Sequence, residues 1–149
     1  MTISKEFRRK DGGIKFNFAP ANEEELKECL SDPLWRICSG ALYKIIIKGD
    51  DGEDGLVMPF IPNRAQKRLL KALWHRNVIL KARQLGFTTL VCIVWLDTAL
   101  FSENMRCGII AQDRAAAEVI FRAKVKFAYE NLPEEFKAGM PWARDTASE

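Results

Sequence analysis

The sequence is poor in the residues that announce a metal or redox centre. It has one histidine, His75, and four cysteines at positions 29, 38, 92 and 107, with no C-x-x-C pair. That spacing excludes the usual structural zinc frameworks. Cys92 and Cys107 stand among apolar neighbours that raise a thiol pKa, which argues against a nucleophile paired with His75. All four read as reduced, mostly buried thiols. No apolar run reaches membrane-spanning length, because the longest, Leu90 to Leu96, stops at Asp97. Met1 to Gly13 is polar and lacks a signal-peptide core, so the expected location is the cytoplasm. Internal repeats and low-complexity tracts are missing too. Net charge is only +3, which permits nucleic-acid contact but falls short of a dedicated basic domain. What is there, 48% hydrophobic and 29% charged residues over 149 positions, is the composition of one globular domain.

The chain begins with a basic stretch, Lys5, Arg8, Arg9 and Lys10, expected to be mobile. Asn22 followed by Glu25 resembles a capping box, with Leu26, Cys29 and Leu30 on one helical stripe. Ser31, Asp32 and Pro33 break that helix, and Leu34 to Ser39 predicts a further helical turn or two closed by Gly40. Leu42 to Lys48 alternates and is rich in β-branched residues, which predicts a strand. Gly49 to Gly55 would be its turn, and Leu56 to Met58 the returning strand before Pro59 and Pro62.

From Asn63 the pattern changes. Asn63 predicts the cap of a helix whose apolar positions Leu69, Leu70, Leu73 and Trp74 recur at helical spacing. Asn77 to Leu80 reads as a short buried strand, Lys81 to Phe87 as a polar loop, and Thr88 to about Phe101 as a strongly apolar helix. Arg106 to Ala111 reads as another strand. Asp113 then caps a long amphipathic helix through Tyr129, with Ala117, Ile120, Phe121, Val125 and Ala128 inward. Strand, loop, helix, strand, helix predicts a parallel, right-handed βαβ unit. The fold class is therefore α/β, an incomplete parallel core over residues 60–149 preceded by a helical and β-hairpin segment over 1–59.

Phosphate-binding loops place G-x-x-x-x-G-K-[ST] between a strand and a helix, so that backbone N–H groups and the helix N-terminus face the phosphates. The corresponding segment runs Lys81, Ala82, Arg83, Gln84, Leu85, Gly86, Phe87, Thr88, Thr89. Gly86 and Thr88 keep the spacing, and the Thr88 hydroxyl stands where the motif ligates magnesium. Lys81 replaces the first glycine, and Phe87 takes the usual lysine position. Because the loop wraps round the β-phosphate, an ammonium at its first residue can replace the missing one. Arg83 is a second candidate cation. On pattern alone an ordinary α/β connection is an equal alternative.

A lysine-first loop of the form K-A-R-Q-x-G-x-[ST]-T resembles the deviant Walker A of large terminase subunits, the ATPases that package phage DNA. Phe60 to Gln66, read Phe-Ile-Pro-Asn-Arg-Ala-Gln, is similar to that family's adenine-reading Q motif. Trp95-Leu96-Asp97 and Ile109-Ile110-Ala111-Gln112 also resemble family text, from about Leu42 to the end. The resemblance implies a P-loop NTPase fold with ATP and Mg as ligands. It implies that Gln66 reads adenine, Lys81 holds the β/γ-phosphates, and Arg83 contacts or senses phosphate. Gln84, Gly86 and Thr89 complete the nucleotide contacts, and Thr88 binds magnesium. The implied partners are double-stranded DNA, the portal, the small terminase subunit and further copies of the chain in the full-length motor, with no membrane.

The family also needs a strand ending in a magnesium-binding Asp and then a Glu that orients water. Asp97 is expected on the same helix that starts at Thr88, out of reach of the loop, and Asp113 is expected as a helix cap. No catalytic residue is therefore assigned, the nuclease domain is not seen, and relatives would continue past Asp145 to Glu149. Arg64, Arg68, Lys71 and His75 would stripe one helix face, read as a solvated side rather than a DNA track. Two further classes stay open: a truncated prophage remnant without ATPase activity, and a helicase-like P-loop ATPase, though helicases ordinarily keep the G-K-[ST] ending.

Overall fold

Four helices start where the sequence supplies a side-chain cap. The computed structural model describes residues 7–47, 55–82 and 84–139. Asn22 accepts from the Glu25 amide at 2.9 Å and opens α1, Glu23–Ser31, while Glu25 accepts from the Ala21 amide. Asp32 ends α1 and caps α2, Pro33–Cys38, with one carboxylate oxygen on the amides of Leu34 and Trp35. Gly40, at φ +77°, turns the chain toward the sheet. Strand β1, Lys44–Ile47, pairs antiparallel with β2, Leu56–Pro59, Lys44 standing opposite Pro59. The expected hairpin forms; its turn, 49–54, lies outside the described residues. There follow α3, Arg64–Ala72, and α4, Phe87–Phe101. Next, α5, Arg114–Ile120, continues through a π-helical turn, Phe121–Lys126, into α6, Phe127–Glu130, before α7, Glu134–Gly139.

The main core wraps α4. Leu90, Ile93 and Leu96 share one cluster with Ile37, Tyr43, Phe60, Ala128 and Tyr129, so it draws on residues before and after position 60. A smaller core joins Phe7, Ile14, Cys29 and Trp35. This corrects the expected mobile start, because from Phe7 onward the chain folds back on α1 and α2. The Lys15 amide bonds the Phe7 carbonyl at 3.1 Å, and the rings of Phe7 and Phe18 meet edge-on at 4.1 Å. The second oxygen of Asp32 accepts from the Ile14 amide at 2.6 Å and from Arg9 at 2.9 Å. One carboxylate thus caps a helix and anchors the N-terminal turn.

The architecture is a mix of helices with a small two-stranded antiparallel sheet. Among the described residues that hairpin is the only ladder, so the expected parallel pairing of 77–80 with 106–111 is not formed. Local chemistry contributes to the difference. Helix α3 stops at Ala72, before Leu73 and Trp74, and the Asn77 side chain closes a turn by accepting from the Trp74 amide at 3.0 Å. Beyond it the alternation of a strand persists without a neighbour to pair with among the described residues. Ile79 and Lys81 line a cavity, whereas Val78 and Leu80 are each 101% exposed. In the second segment Ile109 packs on the core while Ile110 faces solvent.

Candidate functional site

The two sequence motifs meet. Asn63 caps α3 by accepting from the Gln66 amide at 2.9 Å, and the Gln66 side-chain oxygen accepts in return from the Asn63 amide at 2.8 Å. This capping box turns the Gln66 carboxamide toward the loop, where its nitrogen donates to the Gly86 carbonyl at 2.8 Å. Gln66 is buried, so it acts first as a clamp between α3 and the loop, whatever else its remaining donor and acceptor capacity serves.

Gly86 is the N-cap of α4 at φ +70°, and a Cβ there would stand 2.8 Å from the Gln66 side-chain nitrogen. Both conformation and space therefore require glycine. Gln84, two residues earlier, also has positive φ, at 62°. A non-glycine residue in this region stores local strain of the kind that binding loops carry. No side chain caps α4 and its first turn holds no acid, which leaves its leading amides free to receive an anion.

Lys81 and Thr88 are exposed and line one cavity of about 350 Å³, whose remaining wall is largely apolar, with Phe87, Val91, Trp95 and Ile109. Arg83 lies outside the described residues. Thr89 is half-buried, and its hydroxyl accepts from Lys124 Nζ at 2.9 Å. Lys124 was missed in the sequence because a π turn holds more residues than an α turn and shifts the phase of the side chains. Among the described residues no carboxylate pairs with it.

The two acidic candidates stand where the sequence placed them. Asp97 lies buried within α4. Arg36 donates to it twice, Nε at 2.8 Å and a terminal nitrogen at 2.7 Å, and the Tyr43 hydroxyl donates at 2.7 Å. The guanidinium also lies 4.1 Å over the Phe101 ring. Asp113 caps α5 on the Ala116 amide at 2.7 Å. Among the described residues no group of three His, Cys, Asp or Glu side chains could hold a metal.

Cys29, Cys38 and Cys92 are buried, Cys107 is exposed, and burial pushes all four thiols up, Cys29 to about 11. Arg64, Arg68 and Lys71 are exposed on α3, while His75 lies beyond its end against the Trp74 ring at 5.3 Å. No described helix is long and apolar enough to cross a membrane. Comparison with protein-family models, curated proteins and solved structures finds no match to this chain.

Proposed function

We propose that residues 81–89 form the phosphate-binding loop of an ATPase of the large terminase type, and that this chain carries the nucleotide-binding front part of such a motor. The observation that carries the reading is the Gln66–Gly86 clamp, which couples two motifs that are twenty residues apart in sequence. In a P-loop protein with a Q motif, these are the parts that must act together on one nucleotide. The uncapped start of α4 and the positive φ of Gln84 and Gly86 add support. The finer P-loop fold belongs to this proposal as the arrangement of a complete motor domain, in which residues 77–80 and 106–111 would pair as parallel strands once neighbours cover them.

Each residue has a physical role. Lys81, exposed at the cavity mouth with Thr88, supplies the principal phosphate cation, and Thr88 the hydroxyl for magnesium. Lys124 sits half-buried near the positive end of α4, where a phosphate would answer charges of one sign. Gln66 positions the loop and meets the base only with what its clamp leaves over. DNA, portal and small-subunit contacts follow from the resemblance alone.

The test is binding of magnesium-ATP to the purified chain, read by calorimetry. Wild type should bind, and Lys81→Ala should bind roughly tenfold to a hundredfold more weakly, as loss of a charge-assisted contact implies. Lys124→Met should weaken ATP less. Gln66→Ala should lower affinity for ATP and GTP together as the clamp opens, besides blurring their discrimination. Equal ATP binding by wild type and Lys81→Ala would remove Lys81 as the principal phosphate cation. Absence of saturable binding by wild type would remove the reading.

A further inference from the structure

A second cavity, of about 450 Å³, lies on another part of the molecule, between the N-terminal turn, α2 and α3. Four of its lining side chains are apolar, Phe16, Leu34, Cys38 and Leu70. Its lining also includes five charged side chains. Arg9 is neutralised locally, bonded to Asp11 at 3.2 Å and to Asp32 at 2.9 Å. The ammonium groups of Lys10, Lys67 and Lys71 have no carboxylate partner among the described residues. Lys67 is held in place over the Phe16 ring, 4.7 Å from its centroid. Apolar lining beside three such cations favours one kind of occupant.

We propose that this cleft binds a small amphipathic anion, a phosphate or carboxylate head on an apolar body. The volume falls in the range of small-molecule sites, and apolar lining with a few charged groups is how such sites fix orientation. The head would replace water around Lys67, Lys71 and Lys10, and the body would cover Leu70 and Cys38. The site shares no lining residue with the loop cavity and does not depend on the ATP reading.

The probe is 1-naphthyl phosphate, titrated into the intact chain beside 1-naphthol, which has the body alone, and inorganic phosphate, which has the head alone. The expected result is saturable binding of naphthyl phosphate that exceeds both partial probes. Lys67→Glu/Lys71→Glu should weaken it by roughly tenfold or more, whereas Lys81→Ala should leave it unchanged. Cys38 supplies a readout that needs no variant: bound probe should slow its alkylation, measured by peptide mass, and leave that of Cys92 unaltered. Binding no better than inorganic phosphate, or insensitive to the double charge reversal, would overturn the proposal. So would tighter competition by a short single-stranded oligonucleotide that is lost in the same double variant, which would make the cleft part of a nucleic-acid surface.

Discussion

On one side of α4, Asp97 receives three hydrogen bonds from Arg36 and Tyr43, and no buried side-chain nitrogen or oxygen among the described residues is left without a partner. On another side, Val91 and Trp95 face an open cavity, and the flanking segments leave Val78, Leu80 and Ile110 in solvent. The same helix therefore has a polar region closed completely and an apolar region closed in part. A buried charge demands particular atoms at particular distances, and residues far away in sequence supply them. An apolar wall demands only area, and extended segments do not provide it until they pair. The candidate loop, 81–89, leads into the less complete region.

The largest expected effect lies at the closed region. Arg36→Met leaves Asp97 buried without its guanidinium, and breaking such a pair costs about 3–5 kcal/mol. Urea denaturation should show the unfolding free energy falling by that amount, with Phe101 losing its cation as well. Replacing all three partners, Arg36→Met/Asp97→Leu/Tyr43→Phe, should recover most of the loss, because no charge is then left unanswered. A small effect of Arg36→Met alone would mean that water reaches Asp97 and that the two regions differ less than described.

At the loop, Gly86→Ala should cost about 1–2 kcal/mol from its left-handed conformation, besides the displacement of Gln66 that a Cβ forces. Hydrogen exchange should rise at the amides of residues 84–89 and stay unchanged around Asp97. Equal loosening in both places would show them to be one cooperative unit.

Tyr43→Phe removes one donor to Asp97 and should cost about 1.5 kcal/mol at neutral pH, the low end for a bond to a charged group because Arg36 still answers the carboxylate. Its clearer signature is at alkaline pH. Burial, and next the Asp97 carboxylate, push the Tyr43 hydroxyl far above its ordinary value of 10.0. The folded state keeps a proton that the unfolded state releases, so this contribution is whole below pH 10 and falls by about 1.4 kcal/mol per pH unit above it. Cys29, raised from 9.0 to about 11, adds a slope of the same sign starting near pH 9. Stability measured from pH 8 to 11 should decline, and Tyr43→Phe should remove the part of the slope that begins at pH 10.

Caps and turns were legible in the sequence because their chemistry is local: Asn22, Asn63 and Asp113 each cap the helix expected of them, and Asp32 stands at the expected break, where it also caps the next helix. The hairpin was legible for the same reason. Residues 77–80 and 106–111 carry strand-grade side chains, but a strand depends on neighbours that composition cannot supply, and Asn77 spends its side chain on a turn instead. The packed start at Phe7 escaped notice because its anchors, Asp32 and Trp35, lie far along the chain. At the site, the spacing of Gln66 and Gly86 was visible but their contact was not, and Lys124 lay hidden behind the π turn.

The smallest expected change in stability is the most informative about that less complete region. Val78, Leu80 and Ile110 stand 101%, 101% and 98% exposed, so they contribute area to solvent and little to the core. Replacing all three by serine should therefore alter unfolding free energy by no more than about 0.5 kcal/mol, as is usual for surface positions. Because exposed apolar side chains beside unpaired backbone invite association, the triple variant should also remain monodisperse at concentrations where wild type associates. Light scattering and urea denaturation on the same samples separate the two effects. If the variant instead loses more than about 1 kcal/mol, a cost outside the surface range, these side chains are packed in solution. Residues 77–80 and 106–111 would then be strands that have found each other, which is the arrangement a phosphate-binding loop at 81–89 calls for.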